Sequence, residues 1–280
     1  MKVRLATSSG FCFGVKRAMD LAVKASQKNQ EGPVFTDGPL IHNPQAIEVL
    51  RTKGITPLHK IKGGMRGTVI IRSHGISPER LQELKKSGMK VIDATCPKVK
   101  QVQAIIDKHA KQGFYIVIIG EQTHAEVKGL LGFGGGKSTV IQCQGDLKKI
   151  PQGYKICVVA QTTQNRKKFL VLKEKIKERF PEAEIFDTIC EANRKRQEEL
   201  KELCHVVDAV IVVGGKESGN TKRLVEIAKE EGSPTFFAEN EEALDLSQVR
   251  SYNEIGLIGG ASTPDWVLQK MVTKLTRSND

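Results

Sequence analysis

Short β-branched runs alternate with amphipathic stretches along the whole 280-residue chain, and this alternation narrows the fold more than any other feature. Strands are expected at 3–6, 33–36, 68–71, 90–93, 114–119, 139–142, 155–160, 184–187, 209–213, 235–237 and 254–258. Helices are expected at 15–26, 44–53, 78–87, 99–112, 166–180, 194–206, 221–231 and 264–275. Alternating strands and helices of these lengths imply parallel sheets covered on both faces, an α/β protein. In such sheets ligands gather beyond the carboxyl ends of the strands. The residues that follow each strand therefore carry the functional argument.

Those residues repeat. KVIDATC ends at Cys96 and EIFDTIC ends at Cys190, each a strand, then Asp-x-x-Cys, then a helix. VRLATSSGFCFGVK sets Cys12 in the same place without the aspartate. Ser73-His74-Gly75, Gln161-Thr162-Thr163 and Glu217-Ser218-Gly219-Asn220 follow other strands, and His42, His124 with Glu126, and Ser262 form a third series. In threes the chain reads His42–His74–Cys96, His124–Thr162–Cys190 and Ser218–Ser262, with Cys12 as the missing last member. The expectation is three similar α/β units in pseudo-threefold relation around a shared centre, at 10–96, 97–190 and 191–280, the third completed by the strand in 1–9. Chance likeness of strand–turn–helix segments is the competing reading.

Hydrophobic residues make up 39% and charged residues 27%, an ordinary globular composition. No apolar run approaches the ~18–20 residues of a membrane span. MKVRLATSSG lacks the apolar block of a signal peptide, so the expected compartment is the cytoplasm. The 44 basic and 32 acidic residues leave a net charge of +12, which suits an acidic protein partner or a polyanionic small substrate. Nucleic acid is not expected, because the basic residues are scattered along amphipathic stretches and neither zinc-finger spacing nor an RNP-like aromatic motif is present.

Six cysteines in a reducing compartment are not expected to be structural disulfides. Separations of 84 and 94 residues match no local metal motif, but the equivalence of Cys12, Cys96 and Cys190 in the repeat argues for shared metal ligation over unrelated buried thiols. Three thiolates without a fourth leave a coordination position open, either in a catalytic zinc site or in an iron–sulfur cubane with one substrate-binding iron. Cys143, Cys157 and Cys204 read as core residues. His42, His74 and His124, with donors from Ser218, Asn220 and Ser262, suit a phosphate or diphosphate near helix N-termini. His59, His109 and His205 read as bystanders. Glu126 is either an acidic residue of a helix's first turn or a proton donor beside the metal. GFGGGKST (132–139) is no P-loop, since Leu131 stands where the motif needs glycine and the stretch precedes a strand. It reads as a flexible loop.

Taken together, GFCFGVKRA (10–18), GPLIHNP (38–44), RSHGI (72–76), DATCP (93–97), HAEVKG (124–129), QTT (161–163), DTIC (187–190), SGNTKRL (218–224) and GASTPDW (260–266) resemble the 4-hydroxy-3-methylbut-2-enyl diphosphate reductase (IspH/LytB) family across nearly the whole chain. The resemblance implies a three-part α/β trefoil around one 4Fe-4S cluster held by Cys12, Cys96 and Cys190, with an open iron. It implies reductive removal of the substrate hydroxyl to give isopentenyl and dimethylallyl diphosphate, the last step of the methylerythritol phosphate route. It further implies proton delivery by Glu126, ordering of the substrate hydroxyl by Thr162, and diphosphate binding by His42, His74, His124, Ser218, Asn220 and Ser262, with Gly219 as a weak contact. A low-potential donor of the ferredoxin or flavodoxin type follows as partner. A cluster-based redox sensor and a zinc hydrolase are the alternatives. Two departures stand out: Gly219 replaces a frequent serine, and Asn193-Arg194-Lys195 replaces a frequent Thr-Thr-Asn stretch, expected to lie on a solvated helix face, with compensation inside the diphosphate pocket as the alternative.

Overall fold

The computed structural model describes residues 1–28, 32–61 and 64–277. The chain opens with β1 (Lys2–Leu5), α1 (Phe13–Lys28), β2 (Val34–Asp37), α2 (Pro44–Thr52), β3 (Ile55–Leu58), β4 (Thr68–Ile71), α3 (Pro78–Lys86) and β5 (Lys90–Asp93). It continues with α4 (Pro97–Lys111), β6 (Tyr115–Ile119), α5 (Ala125–Gly132), β7 (Ser138–Ile141), β8 (Ile156–Ala160), α6 (Arg166–Arg179) and β9 (Glu184–Ile185). Then come α7 (Glu191–Cys204), β10 (Ala209–Val213), α8 (Gly219–Glu230), β11 (Thr235–Ala238), β12 (Glu254–Gly259) and α9 (Asp265–Arg277).

Among the described residues the strands form three four-stranded sheets with one topology, in the orders β3-β2-β4-β5, β7-β6-β8-β9 and β11-β10-β12-β1. Every pairing is parallel. Inner strands β8 and β10 are apolar and buried throughout because both faces are covered. In β10, Ile211 and Val213 pack with Leu268 and Met271 of α9. Val210 and Val212 face Leu200 of α7 and Leu224 and Ile227 of α8. In β8, Val158 meets Phe169, Leu172 and Ile176 of α6, while Cys157 and Val159 join the cluster of Val102, Ile106, Val127 and Leu130.

By compactness the chain divides into two units. The smaller holds Met1–Val15, Ile41–Val49 and the chain from Glu191 onward, with one sheet; the larger holds Lys16–Leu40 and Leu50–Cys190, with the other two. Within the smaller unit, β1 joins β12 in register Lys2–Glu254 to Leu5–Leu257.

Several local expectations need correction. Strand β3 was not anticipated because Pro57 interrupts its pattern; it survives as an edge strand, where a missing N–H costs no ladder bond. Helix α5 was not bounded in advance, since Gly129 and Gly132 lower its helix propensity. β9 stops at Ile185, before the expected 187, because the Thr188 hydroxyl takes over from the backbone, accepting from Ala160 N–H (2.8 Å) and donating to Ala160 O (2.5 Å). The glycine-rich stretch beyond Gly132 is the short turn joining α5 to β7.

Candidate active site

The repeat seen in the sequence reappears as one hydrogen bond made three times. Each edge strand hands the chain to a cysteine whose backbone N–H donates to a carbonyl in the loop after the neighbouring inner strand. Cys96 N–H reaches Ser73 O (2.9 Å), Cys190 N–H reaches Thr162 O (2.9 Å), and Cys12 N–H reaches Ala261 O (3.0 Å). A helix follows each cysteine at once: α4 begins at Pro97, α7 at Glu191 and α1 at Phe13. All three helices thus start two or three residues earlier than the sequence pattern suggested. All three sulfurs stand where a helix dipole favours negative charge, and all three residues are partly exposed.

The remaining thiols differ from these and from one another. Cys157 is buried in β8, and desolvation pushes its thiol up to about 12. Cys204 is half-buried on α7, its thiol raised by burial. Cys143 is exposed at the end of β7, which corrects its assignment to the core.

Within the larger unit, His74, His124, Glu126 and Thr162 are linked. His124 caps α5: its Nδ1 accepts the Glu126 N–H at 3.1 Å. The neutral ring therefore carries its proton on Nε2. The His74 and His124 rings meet edge to face, with centroids 5.6 Å apart. Glu126 is only 2% exposed, and its carboxylate takes two bonds from one residue, Thr162 N–H to Oε1 and Thr162 Oγ1 to Oε2, both 2.7 Å. Burial pushes the carboxyl up to about 7, outweighing these bonds, which favour the ionised form. A buried acid that changes charge near neutrality is suited to proton transfer. Because Thr162 O also receives the Cys190 N–H, the acid and the Cys190 loop share an anchor.

Within the smaller unit, Ser218 caps α8, its Oγ accepting Thr221 N–H at 3.3 Å and keeping its own proton to donate. Gly219 opens that helix, so its N–H is one of the first-turn donors that no intrahelical acceptor reaches. Asn220 is 2% exposed, and neither Oδ1 nor Nδ2 has a partner among the described residues. A buried amide left unpaired costs ~1–3 kcal/mol and signals a missing partner. The Ser262 hydroxyl donates to His42 O at 3.1 Å. Gly215 lies against the same carbonyl, since a Cβ there would stand 2.4 Å from His42 O. Asn43 starts α2 by accepting Ala46 N–H on Oδ1 (2.8 Å).

The family model for LytB protein matches residues 3–276. The chain belongs to the LytB family. Among its LytB relatives, 4-hydroxy-3-methylbut-2-enyl diphosphate reductase of Aquifex aeolicus is 41% identical over 274 residues, 97% of this chain and 94% of that one. The enzyme of the same name from Geobacter sulfurreducens is 39% identical over 278 residues, 98% of this chain and 97% of its own. A solved structure of E-1-hydroxy-2-methyl-but-2-enyl-4-diphosphate reductase from Plasmodium falciparum superposes with a TM-score of 0.92 at 30% identity, covering 98% of this chain and 88% of that one. A second, of (E)-4-hydroxy-3-methyl-but-2-enyl diphosphate reductase, described as the terminal enzyme of the non-mevalonate pathway, gives 0.70 at 41% identity over 99% and 100% of the two chains. LytB proteins are iron–sulfur enzymes. No helix among the described residues is long and apolar enough to cross a membrane.

The expectation for residues 193–195 divides. Lys195 is exposed, Arg194 is half-buried and pairs with Glu191 at 3.6 Å, and Asn193 is buried. Sequence reasoning also passed over Arg196, buried on α7 and bonded to the Cys12 loop. It stands in a run of polar and charged residues, and nothing local marks it as different. His109, read as a bystander to the site, has a packing role: it is buried between Phe114 and Phe186, with Nε2 3.1 Å from Glu184 and Nδ1 2.7 Å from Ile105 O.

Proposed function

We propose that this chain is an oxidoreductase that converts 4-hydroxy-3-methylbut-2-enyl diphosphate to isopentenyl diphosphate and dimethylallyl diphosphate, the last step of the non-mevalonate isoprenoid route. The observation that carries the reading is Glu126: a buried carboxyl raised to about 7, clasped by Thr162, two residues after the His124 cap and tied to the Cys190 loop.

Cys12, Cys96 and Cys190 are the proposed ligands of one 4Fe-4S cluster with one iron open. Three thiols at equivalent helix N-termini fit such a group, whereas Cys157 and Cys204, both raised by burial, do not. When bound, the cluster supplies low-potential electrons and a Lewis-acidic iron.

The side chains do the rest. His42, His74, His124 Nε2–H, the Ser218 hydroxyl, the Ser262 hydroxyl once turned from His42 O, the Asn220 amide and the Gly219 N–H hold the diphosphate, aided by the α8 N-terminus. Holding that end positions the short allylic tail, so binding energy from the diphosphate serves cleavage of the C–O bond. Thr162 orients the hydroxyl. Glu126 gives it a proton, so that it leaves as water. Two electrons and a second proton complete the balance, and the second proton's choice between the two allylic carbons sets the product. Desolvation keeps the Glu126 proton in place until it is used. A small acidic donor of ferredoxin or flavodoxin type suits the +12 chain.

The test is anaerobic turnover of the allylic diphosphate with a low-potential reductant. Glu126→Gln is expected to keep its iron and bind substrate while turnover falls by about 10²-fold or more. Full turnover by Glu126→Gln would overturn the acid's role. Wild-type protein that holds zinc, or holds a cluster and turns nothing over, would replace the reading with the hydrolase or the sensor.

A further inference from the structure

The two Asp-x-x-Cys loops and the Cys12 loop solve one problem differently. Asp93 Oδ1 accepts Thr95 N–H at 2.9 Å, and Asp187 Oδ1 accepts Ile189 N–H at 3.3 Å, so each aspartate folds its own turn up to the cysteine. The segment between β1 and Cys12 is longer and has no aspartate.

Its backbone is held instead by α7. Arg196, 3% exposed, donates through Nη2 to Ser8 O and to Gly10 O, the latter at 3.0 Å. Glu199, three residues on, accepts Thr7 N–H (2.5 Å) and Thr7 Oγ1 (2.7 Å) on Oε1 and Ser8 N–H (2.8 Å) on Oε2. A cation thus takes the carbonyls and an anion takes the amides of one short segment. Further contacts fix its far end. Ser9 Oγ accepts Gly259 N–H at 2.9 Å, and Phe11 meets Trp266 edge-on at 6.1 Å. Gly10 sits at φ +95°, a conformation that favours glycine, with Asp265 Oδ1 where a Cβ would be.

We propose that Arg196 and Glu199 are positioning residues for Cys12, an external brace that replaces the missing aspartate and holds the thiolate in ligating geometry. The proposal rests on the ligand set given above. Through this brace α7, which begins at the residue after Cys190, also sets the Cys12 loop. The brace acts on cluster retention and on the cluster's environment.

The experiment uses anaerobically purified holoprotein, with chelator-driven cluster loss and the electron paramagnetic resonance spectrum of the reduced cluster as readouts. Arg196→Ala and Glu199→Gln are expected to lose iron about tenfold faster than wild type, the usual scale for removing a group that orients a ligand. Their reduced spectra shift, and Arg196→Lys, which keeps the charge and one donor, recovers part of both effects. A purely structural role would lower the melting temperature while leaving the spectrum of the surviving holoprotein unchanged; that pattern, or wild-type loss rates, overturns the brace. If Arg196→Ala does not fold, Glu199→Gln and Arg196→Lys carry the same test. Full iron in Cys12→Ser would instead sink the ligand assignment itself.

Discussion

The loops at Cys96 and Cys190 carry their own braces, whereas the loop at Cys12 borrows one from α7. The difference is one of sequence distance. An aspartate two residues before the amide it caps restrains its turn locally, at little entropic cost, and the turn can form early. Arg196 and Glu199 lie 186 to 192 residues from the groups they hold, so the Cys12 loop is set only when the smaller unit has closed its sheet. The Cys190 loop has a further property the Cys12 loop lacks: its amide is tied to Thr162, the residue that clasps the buried acid. On the proposed assignment, ligand placement and proton supply are joined there, while the Cys12 loop answers for ligand placement alone.

Substitutions can break or sharpen that comparison. The largest effect is expected where the loops are equivalent: Cys12→Ser and Cys190→Ser should each abolish cluster retention, while Cys157→Ser, inside a strand, should keep it. Iron and sulfide per chain after anaerobic purification decide the matter, and equal losses in all three would undo the ligand assignment.

Next comes the property confined to the Cys190 side. With the Glu126 carboxyl at about 7, turnover should decline as pH rises through that value, because the acid must be protonated to act. Thr162→Val removes a bond that favours the ionised form, so the alkaline limb of the kcat profile should move to higher pH. A limb that stays put or moves down assigns the titration to another group.

A smaller effect distinguishes local from borrowed bracing. Asp187→Ala should lower stability by about 1 kcal/mol, the ordinary cost of losing a side-chain cap, and Asp187→Asn, which keeps Oδ1, should recover most of it. Denaturant midpoints measure both. An Asn variant as weak as the Ala variant would show that charge, not the turn, is what Asp187 supplies. The smallest effect is expected at exposed Lys195: replacement by alanine should leave stability within about 0.5 kcal/mol and the KM for the allylic diphosphate unchanged. A clear rise in KM would move Lys195 into the diphosphate site.

What was legible in the sequence follows the same division. The Asp-x-x-Cys repeat, the inner strands and the series of residues beyond them are local patterns, and they stand in the fold at equivalent positions of three like-ordered sheets. The start of helix α5 was legible at Glu126, but its extent was not, because Gly129 and Gly132 lower its helix propensity. Strand β3 escaped because Pro57 reads as a breaker and only an edge position excuses it. Cys143 was misplaced because the apolar TVI run before it says nothing of where that run leaves the sheet. Arg196 and Glu199 could not be found by pattern at all, for their partners are distant backbone atoms. The unpaired amide of Asn220 likewise belongs to the folded state alone.

Single turnover most directly tests the central claim, that a buried, near-neutral Glu126 supplies the proton for reductive loss of the hydroxyl. Reduced protein is mixed with the allylic diphosphate, and the two isomeric products are counted for wild type and Glu126→Gln at matched iron content. The account predicts product in the wild type and a collapse of its rate in the variant, with substrate still bound. Equal rates, or a wild type that binds substrate and forms neither isomer, would contradict it.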